Sequence, residues 1–169
     1  MQSNLEAGSI ILAGATGDLG GRTAESLIQR GANVRALVRS GTSPDNISKL
    51  QNSGITVVEV DYTNPIELAK ACAGGSVVVL ALSGLRDVIV DTQTQLLNAA
   101  IEARIPRFIP SDFAVDFTKL PEGTNRNLDF RQEFRKILND APIAATSILN
   151  GMFSDLLTGQ APVILYPMK

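Results

Sequence analysis

The chain has 169 residues, 44% hydrophobic and 19% charged, with a formal net charge of -2, which suits one ordinary globular domain with a sizeable core. No basic excess or basic–aromatic stripe points to nucleic acid, and apolar runs of strand length argue against a membrane span. The absence of histidine removes Ser-His-Asp and Cys-His catalysis and most zinc sites, while the single cysteine rules out an internal disulfide and points to a reducing cytoplasm.

The N-terminal Met1–Gly8 stretch is polar and lacks a basic leader region, so no secretory signal is expected. Ser9–Ala13 then reads as a buried strand, and Asp18–Arg30 as a helix with Leu19, Thr23, Leu27 and Ile28 near one face. Between them lies Gly14-Ala15-Thr16-Gly17-Asp18-Leu19-Gly20. A glycine-rich turn that opens a helix can hold a phosphate on backbone N–H groups and the positive end of the helix dipole. Gly14 would make the tight turn, Gly17 would admit a pyrophosphate, and Gly20 would let helix and strand pack closely. The spacing is G-x-x-G-x-x-G rather than the commoner G-x-G-x-x-G, so the surrounding strand–turn–helix pattern carries the dinucleotide reading.

Asn33–Val38 forms the next strand, followed at its tip by Arg39. An acidic residue there would accept from the 2′-hydroxyl of NAD(H), whereas a guanidinium favours a 2′-phosphate. NADP(H) is therefore the expected cofactor. Ser43 caps a helix over Ser43–Asn52 that begins with a proline, and Ile55–Val60 reads as the third strand. It ends in Asp61-Tyr62, where two readings stay open. Asp61 could accept from an adenine amino group with Tyr62 near the ring, or it could support the turn capped by Thr63 or Asn64 before the helix Pro65–Ala73. Cys72, within that helix, reads as a packing residue.

Val77–Leu82 is the fourth strand, and the small Ser83 and Gly84 after it would let the pyrophosphate and nicotinamide ribose pass. A helix is expected over Asp87–Ala103, a short strand over Arg107–Ile109, a helix over Asn125–Asn139 and a last strand over Ile143–Leu149. Ser111 and Asp112 follow the fifth strand and would stand at the nicotinamide end of the crevice. Arg131, Arg135 and Lys136 are the cations of the last helix. Near-continuous apolar strands alternating with helices imply an α/β fold: a doubly wound parallel sheet of order 3-2-1-4-5-6, with its crevice where strands 1 and 4 diverge.

The tyrosine–lysine pair of short-chain dehydrogenases, spaced Tyr-x-x-x-Lys, is missing: Ile66 lies four residues after Tyr62, and the chain ends before that position after Tyr166. Even so, the chain resembles the NmrA-like and isoflavone-reductase-like group of atypical short-chain dehydrogenases. The resemblance rests on the Gly14–Gly20 loop, Val38-Arg39, Val60-Asp61, Ser83-Gly84, Arg107-Phe108-Ile109-Pro110-Ser111-Asp112-Phe113 and Thr146-Ser147-Ile148-Leu149-Asn150-Gly151-Met152-Phe153. It implies NADP(H) held by the loop and Arg39, beside a substrate cleft completed by a smaller C-terminal region. Members of the reductase branch carry a lysine in the helix before the sixth strand, where this chain has Arg131. An arginine stays protonated, so it can hold an anion but not exchange a proton as a desolvated lysine does.

Family members also run well beyond 169 residues, so residues 1–169 are expected to form the dinucleotide-binding domain with most of the substrate region missing. Two functional readings follow. In one, NADPH reduces a small carbonyl or conjugated substrate, with Ser111, Asp112 or a water supplying the proton. In the other, the pocket senses NADP(H) and passes a shape change to a protein partner.

Overall fold

The computed structural model describes residues 8–154. The stretch 161–169, where the substrate region was expected to begin, lies outside them, as does Tyr166. The described residues form a sheet of six strands, β1 (Ser9–Ala13), β2 (Val34–Arg39), β3 (Thr56–Val60), β4 (Gly75–Leu80), β5 (Arg107–Ile109) and β6 (Ala144–Ala145). Their order is β3-β2-β1-β4-β5-β6 and every pairing is parallel, as the alternating pattern implied.

Successive residues of a strand point to opposite faces. Ile11 therefore joins Leu37, Leu68, Leu80, Leu96 and Phe108 on one side, while Leu12 joins Ala36, Val38, Leu50 and Ile55 on the other. Helices α1 (Asp18–Gln29) and α2 (Pro44–Asn52) cover the second face. Helices α3 (Pro65–Cys72), α4 (Gln93–Glu102) and α5 (Arg126–Asn139) cover the first. Full burial of each such leucine or isoleucine contributes about 1.5–3 kcal/mol, and this apolar layer holds the strand ends in place.

The helix starts follow their cap residues. Ser43 accepts from the Asn46 N–H, and the Asn64 and Asn125 side chains each accept from the first turns of α3 and α5. Cys72 is fully buried, and burial pushes its thiol up to about 11, as befits a packing residue.

Three of the expected elements differ by more than a residue at an end. The last strand, expected over Ile143–Leu149, pairs only at Ala144–Ala145, with one further bond from the Thr146 N–H to the Phe108 carbonyl. Its partner β5 is only three residues long and is followed by Pro110, which has no N–H, so the ladder cannot extend. It also lies at the sheet edge, and Ala144, Ala145 and Thr146 are exposed rather than buried on both faces. The expected helix Asp87–Ala103 divides into a π-helical segment, Asp87–Thr92, and α4. The Thr92 hydroxyl bonds the Asp87 carbonyl five residues back, filling the wider turn. Finally, β4 spans Gly75–Leu80 rather than Val77–Leu82, and beyond Leu80 both backbone groups of Leu82 are bonded by a side chain instead of a strand.

Candidate functional site

The glycine loop is shaped by two close backbone approaches. Gly14 has φ +93°, and a Cβ there would stand 2.2 Å from the Ala81 carbonyl oxygen of the neighbouring strand's end. At Gly20, buried in α1, a Cβ would meet the Gly14 carbonyl oxygen at 2.0 Å. Gly17 is different. Its backbone is extended, and an added Cβ would be 3.4 Å from its nearest neighbour, an ordinary contact. It is the N-cap of α1 with no side-chain cap, so the first N–H groups of the helix face outward without a protein acceptor from that residue. That is the local structure of an anion cradle: positive helix end, open amides, no side chain in the way.

Beside this loop runs a cleft of about 560 Å³ between the ends of β1, β2, β3 and β4. Gly14, Thr16 and Gly17 form its floor, Arg39, Ser40, Val60, Asp61, Tyr62 and Thr63 one end, and Ala81, Leu82, Ser83, Val88 and Thr92 the other. The cleft opens where β1 and β4 diverge, the position at which doubly wound sheets take their ligands.

Two arginines of β2 have opposite fates. Arg35 donates to the carbonyls of Ala71 and Ala73 and closes the C-terminal end of α3. Arg39 is exposed at the cleft, and among the described residues its guanidinium has no hydrogen-bond or ion-pair partner. At the end of β3, Asp61 supports the turn before α3, the second of the two arrangements expected for it. Its Oδ1 accepts from the Thr63 N–H at 2.8 Å and hydroxyl at 2.7 Å, which lowers its carboxyl below the usual range. Its other oxygen has no partner among the described residues, and Asp61 lines the cleft. Tyr62 donates its phenol to the Leu37 carbonyl at 2.9 Å, and burial raises its pKa above the ordinary value. It lines the cleft as part of the wall, not as an acid or base.

The remaining expected site residues fall outside that lining. Asp18 and Leu19 are in the first turn of α1, and Asp18 pairs with Arg22 across the exposed helix surface. Gly84 packs on Val88, where a Cβ would lie 2.5 Å from a Val88 methyl. Ser111 and Asp112 are buried past the end of β5. The Ser111 hydroxyl is bonded to both backbone groups of Leu82, its N–H and its carbonyl. Asp112 has its carboxyl pushed up by burial, opposed by a hydrogen bond with Ser147 and by the charges of Arg131 and Arg135. Arg131 donates from Nε to the Asp112 carbonyl and from Nη1 to the Asn127 carbonyl, both at 2.9 Å, and burial lowers its pKa. These groups form one cluster between β5 and α5, adjacent to Phe113, whose φ of +37° marks a sharp bend in the loop.

Sequence reasoning missed Val88, Thr92 and Gln93. The first two wall the cleft because of the π-helical segment, which no simple periodicity announces. Gln93 left a signal: it is a polar residue on the same helix face as Ile89 and Leu96, and it is fully buried.

Residues 6–165 match the NmrA-like family. The chain is 28% identical over 160 residues to a bifunctional pinoresinol-lariciresinol reductase of Linum usitatissimum, covering 89% of this chain and 51% of that protein. It is 28% identical over 175 residues to pinoresinol reductase 2 of Arabidopsis thaliana, covering 95% and 55%. Among solved structures, AtPrR2 with NADP+ and (+)pinoresinol superposes with a TM-score of 0.80 at 26% identity, over 96% of this chain and 56% of that one. An NADPH-dependent quinone oxidoreductase from Escherichia coli superposes with a TM-score of 0.69 at 28% identity, over 88% and 50%. The chain thus spans about half the length of the curated relatives it matches. With the sheet order, the loop and the match over nearly all its length, the chain belongs to the NmrA-like family.

Proposed function

We propose that residues 1–169 form the NADP(H)-binding domain of a reductase acting on a small carbonyl or conjugated substrate. The observation that carries this reading is Arg39, a cation without an ion-pair partner among the described residues, at the far end of a cleft that begins at a glycine-floored helix N-terminus. The open amides of the first turn of α1 would hold a pyrophosphate. Arg39 would hold a 2′-phosphate by charge-assisted hydrogen bonds, and the second oxygen of Asp61 would accept from the adenine amino group. Ser83, Val88 and Thr92 line the end left for the nicotinamide half. Bound NADPH supplies a hydride.

Relatives named as reductases support a catalytic role over the regulatory one. The proton is the protein's task. Arg131 is held by two backbone carbonyls, and the Ser111 hydroxyl is committed to Leu82, so both act by positioning. Asp112 is the titratable group left at the end of β5, and its raised pKa lets it hold a proton nearer neutrality than an exposed carboxyl does.

The test is fluorescence titration of NADPH and NADH against the wild type and Arg39→Ala. The wild type is expected to prefer NADPH. Arg39→Ala is expected to lose about tenfold to a hundredfold in NADPH affinity, the equivalent of about 1.5–3 kcal/mol, with little change for NADH. Equal affinity of the wild type for both dinucleotides would remove the assignment.

A further inference from the structure

Past the ends of β4 and β5, side chains take over the hydrogen bonding that the sheet no longer provides. The Ser111 hydroxyl accepts from the Leu82 N–H at 2.8 Å and donates to the Leu82 carbonyl at 2.6 Å. The Ser111 N–H donates to Gln93 Oε1 at 2.8 Å, and Gln93 Nε2 donates to the Ile89 carbonyl at 2.5 Å. Gln93 is 0% exposed and Ser111 2%. A carboxamide in that position is costly unless both of its ends are bonded, and here both are.

The chain of bonds runs from the π-helical segment, through Gln93 and Ser111, to the segment that leaves β4. Both of its ends carry cleft residues: Leu82 and Ser83 at one, Val88 and Thr92 around the other. These form the wall opposite Arg39 and Asp61. Apolar packing alone is non-directional and lets a loop shift by fractions of an ångström, whereas bonds to both backbone groups of one residue fix the two peptide planes that flank it.

We infer that Gln93 and Ser111 are a positioning pair that sets the nicotinamide-side wall of the cleft; this rests on the NADP(H) reading above. Neither residue touches the cleft itself, so their effect passes through the Leu82 peptide and the Val88–Thr92 turn. A pair that acts this way governs one half of the dinucleotide and leaves the adenosine half alone.

The experiment compares dissociation constants of NADPH and of adenosine 2′,5′-bisphosphate, which lacks the nicotinamide half. The proteins are the wild type, Gln93→Met and Ser111→Ala, each held well below its unfolding temperature. Met keeps the length of Gln without its hydrogen bonds, and Ala removes only the hydroxyl, so either variant serves if the other fails to fold. Each variant is expected to bind NADPH roughly tenfold more weakly, with the bisphosphate unchanged. Equal weakening of both ligands would reduce the pair to a stabilising core contact, and no weakening of either would remove the role altogether. A wild type that binds neither ligand overturns the NADP(H) reading itself, an outcome visible before any variant is compared.

Discussion

Gly17 and Gly20 belong to one loop but answer to different constraints. Gly20 is required by the fold, since its Cβ would run into the Gly14 carbonyl oxygen, a backbone atom that cannot swing aside. Gly17 has room for a Cβ and an extended backbone that any residue adopts. Gly20→Ala is therefore expected to destabilise the protein by about 1–3 kcal/mol or more, through overpacking. Gly17→Val is expected to cost no more than about 1 kcal/mol through a poorer cap, yet to abolish NADPH binding by filling the space above the helix amides. Chemical denaturation paired with NADPH titration separates the two effects. A folded Gly17→Val that binds NADPH as the wild type does would remove the loop from the cofactor site. The sequence made these glycines legible because strand, loop and helix followed in order. It also implied separate roles for Gly17 and Gly20, but not how much room each has, which depends on where the Gly14 carbonyl lies.

At the scale of elements, the sheet order was readable from the alternation of apolar runs and helical patterns, and the helix caps from Ser43, Asn64 and Asn125. What escaped was decided by neighbours distant in sequence. The length of β6 is limited by Pro110 on another strand, and the end of β4 by the Ser111 hydroxyl. The cluster joining β5, α5 and the segment after β6 has the same character, and it makes a pH prediction. Burial favours the neutral form of Asp112, so its folded pKa lies above the unfolded one. Between those values the folded state binds a proton that the unfolded state has released, so stability falls as pH rises through that window. Asp112→Asn cannot ionise, and its stability should decline less than the wild type's as pH rises from about 4 to about 7. Urea denaturation at stepped pH measures both profiles. Parallel curves would show that the Ser147, Arg131 and Arg135 interactions cancel the effect of burial.

For the whole molecule, the decisive property is that one face of the sheet's C-terminal edge gathers the loop, Arg39 and the far wall into a single cleft, although they come from four strands. A ligand that touches all of them stabilises only the folded chain, so binding should be readable as thermal stability. The chain covers about half the length of its relatives, and the same measurement asks whether this half is a cooperative unit that needs no other part to take the cofactor. We expect one unfolding transition, which NADPH raises. At a hundredfold excess over Kd the gain is about 2.7 kcal/mol. For a chain of this size that corresponds to a rise of roughly 5–10 °C. NADH at the same concentration should shift the transition less, and added salt should narrow the difference, because Arg39 lies exposed at the rim. Differential scanning calorimetry across a series of NADPH and NADH concentrations provides the test. A single transition that neither dinucleotide moves would overturn the NADP(H) reading of the cleft.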